Sequence, residues 1–145
     1  MRDILFRGKC TTSKEWAKGG IMHGLNGEMF IVLPLSEKDN EVVIPVVPET
    51  VGQFTGLNEG CWTIYAKKTK GKDELEKIFE GDIIMCDLDI DPDGRTGIIG
   101  KVFFKDGSFR FGSELHNREL SECYNRIKIG NIHDNLELLG EVNAP

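Results

Sequence analysis

The residues whose spacing most resembles a chemical device lie in the run Asp87-x-Asp89-x-Asp91-x-Asp93-Gly94. Asp89, Asp91, Asp93 and Gly94 match the opening of a calcium loop. Such a loop places oxygen ligands on alternate residues and then a glycine for the bend. Three carboxylates so spaced could converge on one hard cation. The pattern then breaks: Gly100 stands where a bidentate glutamate is needed, and Pro92 stiffens the segment. The residues after Gly94 have strand periodicity, not helical periodicity. The simpler reading is a hairpin turn, Asp91-Pro92-Asp93-Gly94, with proline at its second position and glycine at its fourth. No metal or other cofactor is expected, and Asp89, Asp91 and Asp93 stay the only candidate ligands.

A second cluster is basic. Lys67, Lys68, Lys70 and Lys72 come after Trp62 and Tyr65. A basic loop beside exposed aromatics is one design for single-stranded nucleic acid. A solvated hairpin tip is the plainer account, with Trp62 in the core. Acidic residues outnumber basic ones 24 to 18, a formal charge of −6. That balance weighs against a general nucleic-acid binder, which needs clustered cations to displace counterions. Nucleic acid is therefore the alternative partner and not the favoured one.

Other groups offer less. His23, His116 and His133 are far apart in sequence, and none has a partner at metal-ligand spacing. Cys10, Cys61, Cys86 and Cys123 form no C-x-x-C pair, so neither a zinc knuckle nor a redox motif is indicated. Reduced thiols are expected, with Cys86 in the core. Gly94-x-x-Gly97-x-x-Gly100 lacks the Lys-Ser/Thr pair of a phosphate loop and opens no helix. No serine or cysteine sits in a nucleophile motif. The chain is not expected to be an enzyme.

The elements that must position these groups are short strands. Ile83, Ile84, Met85, Cys86 and Leu88 form an apolar run rich in β-formers. Gly81 before it can take a positive φ, and Asp82 is expected to bond to the backbone just beyond it. Asn26-Gly27 between apolar runs predicts a hairpin. Pro45 within Glu41 to Val47 predicts an edge strand or a broken one. Ser13 is expected to cap a helical turn that Gly19-Gly20 ends. The pattern predicts roughly seven to ten short strands and little helix. The fold class is mostly β, α+β at most. A small N-terminal β-rich subdomain, residues 1–47, is expected to oligomerise. An SH3-like or barrel-like β domain spans 48–145.

At 145 residues, 39% hydrophobic and 29% charged, the chain can fold without staples. Arg2, Asp3 and Arg7 interrupt any signal peptide, and no apolar run spans a membrane. A cytoplasmic location is expected. Phe30-Ile31-Val32 and Val42-Val43-Ile44 are apolar toward both faces. Strands of that kind must be covered twice. The N-terminal third is therefore expected to bury surface against another copy of itself.

Three segments in this order resemble the YopX family of phage and prophage proteins. They are Met1 to Arg7, then Pro48 to Leu57 taken with Ile78 to Ile84, then Ile129 to Leu139. Asn58 to Lys77 departs from the pattern as an insertion, and Cys10 to Leu33 does not align with it. The resemblance implies a β-rich fold, a barrel-like C-terminal part and self-association into a ring or other oligomer in the host cytoplasm. A phage or host protein is a further partner to expect. It implies no reaction, and no catalytic residue is carried over.

Overall fold

The computed structural model describes residues 3–33, 42–60, 75–88 and 94–143. The chain is mostly β, with antiparallel sheets and only 3-10 turns as helical structure among the described residues. It divides into two compact units, Met1–Gly56 and Leu57–Pro145. The expected boundary lay after residue 47. The segment beyond it instead forms a 3-10 turn, Pro48–Thr50, and then β5 (Gly52–Asn58), whose first residues pair with the first strand.

In the first unit, β1 (Phe6–Lys9), β2 (Trp16–His23), β3 (Met29–Leu33) and β4 (Val42–Val46) form an antiparallel meander. Strand β5 lies along the free side of β1. No helical turn comes after Ser13, contrary to expectation. Cys10 to Glu15 is a tight turn closed by the Cys10 N–H to Glu15 C=O bond, with Lys14 at φ 63°. Gly19 and Gly20 do not end an element either; they lie inside β2. Trp16 to Gly19 pair with β1, whereas Gly20 to His23 pair with β3. A Cβ on Gly19 would collide with the Val32 carbonyl, so this glycine lets the strand change partner. A two-glycine run reads as a breaker in sequence because its lost side chain costs local stability. Here close backbone approach requires it.

Pro45 sits opposite Phe30 at the outer strand of the meander. Its carbonyl accepts the Thr11 N–H, and Val47 N–H donates to the Lys9 carbonyl. The missing proline N–H therefore faces away from β3 and costs the β3–β4 ladder nothing. The Cys10–Val46 bridge curls β4 back toward β1. Gly8 permits this: a Cβ there would stand 3.0 Å from the Val46 side chain. Ile31, Val46 and Phe54 are buried in this unit.

The second unit holds β6 (Lys77–Phe79), β7 (Asp82–Asp87), β8 (Ile98–Lys105), β9 (Ser108–Gly112), β10 (Asn117–Glu119) and β11 (Tyr124–Asn131). The sheet order is β10-β9-β8-β7-β11. Four strands meander, and the fifth returns beside the first after the 3-10 turn Leu120–Glu122. That is the strand order of an SH3-like domain. Among the described residues β10 and β11 do not pair, so the barrel is not closed. Ile78, Ile84, Cys86, Val102, Phe111, Leu120 and Cys123 make one core cluster. Ile83 and Ile84 alternate on β7 and are both fully buried, as a two-sided apolar run demands. Each such isoleucine contributes about 1.5–3 kcal/mol.

Gly81 has φ 90° between β6 and β7. Asp82 does hold this turn, but by accepting the N–H of Phe79, three residues earlier, at 2.7 Å. The sequence-based expectation had that bond on the residues after it. Lys128 Nζ on β11 lies 3.3 Å from the same Asp82 oxygen. Asp82 is fully buried, and its charge is met by this ammonium.

Candidate functional site

The residues singled out in sequence for metal or nucleic acid lie outside the described residues. These are Asp89, Asp91 and Asp93, and Lys67, Lys68, Lys70 and Lys72. Of the acidic run, Asp87 is described. It accepts Asn125 Nδ2 at 2.7 Å and the Gly97 N–H at 3.0 Å. The Asn125 bond, then the Gly97 bond, hold its carboxyl below the usual range. It clasps the ends of the β7–β8 connection to β11, which is a structural duty. No group of three or more His, Cys, Asp or Glu side chains able to hold a metal occurs among the described residues. His23, His116 and His133 lie on separate elements: at the end of β2, in the β9–β10 loop and after β11.

The terminal segment has a clear local purpose. The Asn131 side-chain carbonyl accepts the N–H groups of His133 and Asp134, both at 2.9 Å. Its amide donates to Asp134 Oδ2, while Asn135 Oδ1 accepts the Asn131 N–H. Gly130 leaves room for this knot, since a Cβ would meet Asn135 Oδ1 at 2.7 Å. Asn131 pairs with Asp82, and Ile132 N–H donates to the Gly81 carbonyl. Segments 78–84 and 129–139, distant in sequence, thus form one braced corner. Asn131, Asn135 and Asp82 accept backbone N–H groups and Asp134 accepts the Asn131 amide, so these side chains brace the fold.

Two surfaces remain. The first is the outer face of β2, β3 and β4. The register aligns Met22, Phe30 and Pro45 in one row and Gly20, Val32 and Val43 in the next. Period-two alternation puts both rows on one face. Ile21, Ile31 and Ile44 occupy the other face, where Ile31 is fully buried. The outer face carries no charged or polar side chain at these six positions. Met22 is 42% and Val43 40% exposed.

The second surface is a half-open cleft of about 470 Å³ in the SH3-like unit. Ile98 and Phe111 contribute its apolar lining, and Arg95, His116 and Arg118 its charged or titratable groups. Periodicity could not reveal it. The cleft depends on Gly100 and Gly112, which read in sequence as ordinary turn or strand glycines. A Cβ on Gly100 would press the Phe111 ring at 2.8 Å. Gly112, at φ 127°, lets the His116 carbonyl approach closely.

The thiols divide sharply. Cys86 and Cys123 are each 1% exposed in the core of the second unit. The hydrogen bond to Cys123, and burial after it, push the Cys86 thiol far above its ordinary range. Cys10 is different. Hydrogen bonds from the Ser13 and Thr12 side chains, then their backbone N–H groups, lower it to about 6. The Thr12 hydroxyl lies 3.3 Å from its sulfur.

Among the described residues no helix is long and apolar enough to cross a membrane. No protein-family model matches the chain, and no curated protein matches it. Among solved structures it is similar to protein EF1440 from Enterococcus faecalis. The two share 22% identity over 96% of this chain and 99% of that one, with a TM-score of 0.49.

Proposed function

We propose that this is a YopX-like phage or prophage protein acting in the host cytoplasm as a non-catalytic, homo-oligomeric assembly module. The observation that carries the reading is the outer face of β2–β4, two adjacent rows of apolar side chains without a charge among them. Its occupant is a second copy of the chain. A two-fold axis presents the same rows to themselves, so complementarity needs no second sequence. The edge of β4 favours the same occupant. Pro45 C=O and Val47 N–H point to the β1 side, so backbone alternation points the Val43 N–H and C=O to that side too. Among the described residues no strand continues along that edge beyond Thr11, and an open strand edge is a template for pairing with its own copy.

The absence of a nucleophile motif supports a non-catalytic role. The nucleic-acid alternative would rest on Lys67, Lys68, Lys70 and Lys72, which lie outside the described residues.

The test is a Met22→Lys, Val43→Glu double variant, compared with the parent chain by light scattering. Both positions are already partly exposed, so the fold should persist in circular dichroism. The account expects the parent to be an oligomer and the variant a monomer. A variant of unchanged mass would remove this face from the interface.

A further inference from the structure

We propose that the cleft between β8, β9 and the β9–β10 loop binds a small anionic ligand with an apolar body. This goes beyond self-assembly and concerns the second unit alone. At about 470 Å³ the cleft is in the range of small-molecule sites. Its floor is apolar, formed by Ile98 and Phe111. Leu115 stands at its rim 89% exposed, a hydrophobic side chain with surface to gain by covering a ligand.

The charged side chains of the cleft share one sign. Beside the polar side chains of Ser113, His116 and Asn117, Arg95 and Arg118 line it, and no carboxylate does among the described lining residues. This is notable in a chain of net charge −6. Arg118 is anchored by one nitrogen only: Nη1 donates to the Leu88 carbonyl at 2.9 Å. That bond tethers one end of the guanidinium and leaves Nε and Nη2 without protein acceptors among the described residues. His116 is anchored through its backbone. Its N–H donates to Ser113 Oγ, and its carbonyl accepts the Ser113 N–H. The imidazole makes no hydrogen bond among the described residues. Both residues are thus placed at the cleft by bonds that leave ligand-binding donors over.

The pairing of these donors with an apolar floor defines the ligand. A neutral hydrophobe would cover Arg118 without giving it an acceptor, and burying an unmet charge is costly. A bare phosphate or sulfate would leave Ile98 and the exposed Leu115 uncovered. A carboxylate, sulfonate or phosphate attached to a flat apolar ring satisfies both. The segment joining Leu88 to Gly94 contains Asp89, Asp91 and Asp93, outside the described residues. The experiment therefore varies them too.

The probes are 1-anilinonaphthalene-8-sulfonate, its uncharged analogue N-phenyl-1-naphthylamine, and inorganic phosphate. Each is titrated into the full chain and monitored by amide NMR. The sulfonate should bind saturably and shift the amides of Gly100, Gly112, Leu115 and His116. Arg118→Gln should weaken it about tenfold, the worth of one charge-assisted hydrogen bond. It should leave the uncharged analogue unchanged. Should Arg118→Gln disturb the fold, His116→Ala, which removes only a ring free of protein bonds, should still weaken the sulfonate several-fold. Replacing Asp89, Asp91 and Asp93 with asparagine should leave sulfonate binding intact or tighten it. The proposal is overturned by equal affinity for the two naphthyl probes, by shifts confined to the Met22–Phe30–Val43 face, or by phosphate binding as tightly as the sulfonate. Loss of binding in the asparagine variant would also overturn it.

Discussion

Cys10 shows how much a few hydrogen bonds decide at the scale of one residue. Its thiolate is favoured by Ser13 and Thr12, and its acidity is near 6. The thiolate is the reactive form, so reaction rate tracks its population. In a chain with Cys61 changed to serine, iodoacetamide should modify one cysteine in the folded state. The rate should rise with a midpoint near pH 6 and fall away below it. Replacing both Thr12 and Ser13 with alanine should move that midpoint toward the ordinary thiol value of ~8.5. A parent midpoint already at that value would contradict the assignment. Cys86 and Cys123 should stay unmodified until unfolding, because both are buried. None of this was legible in sequence. Cys10-Thr11-Thr12-Ser13 reads as a polar linker, and only the tight turn from Cys10 to Glu15 brings the hydroxyls back toward the sulfur.

At the scale of elements, the corner built by β7 and β11 dominates. Asp82 and Lys128 approach at 3.3 Å where the carboxylate has no solvent. Removing one partner of a buried pair strands the other, at a cost of about 3–5 kcal/mol. Lys128→Met should therefore destabilise the chain by roughly 3 kcal/mol in urea unfolding, allowing for the ammonium's partial exposure. A loss below ~1 kcal/mol would mean that the pair is solvated after all. Asn131→Ala removes the acceptor of two backbone N–H groups and should cost about 1–2 kcal/mol. Most strands were legible: alternation marks Phe109 and Phe111 on β9, a continuous apolar run marks Ile83 to Cys86 on β7, and the Asn26-Gly27 turn announces β3. The elements that were misread turn on glycines and Asx residues. Gly19-Gly20 looked like a stop and is a change of partner within β2. Asp82 looked as if it bonded forward and bonds backward. In each case a contact remote in sequence decides, and local pattern carries no trace of it.

The whole molecule presents two units with different surfaces. The first has an apolar outer sheet face, and its basis was visible in sequence as runs hydrophobic at consecutive positions. Alternation alone could not say which rows face outward. Register decides that, by aligning Met22 with Phe30 and Pro45. The cleft of the second unit was invisible in sequence, since its lining comes from β8, β9 and the β9–β10 loop and its shape from two glycines. Of the sequence motifs, the aspartate run contributes Asp87 as a structural clasp, and its other members lie outside the described residues.

Sedimentation velocity of the intact chain over a concentration series from about 1 to 100 μM tests the central claim most directly, since subunits joined through a standard-sized interface hold together in this range. The account predicts a species of at least twice the 16.3 kDa chain mass, dissociating in the Met22→Lys, Val43→Glu variant. A single 16.3 kDa species at every concentration would contradict it.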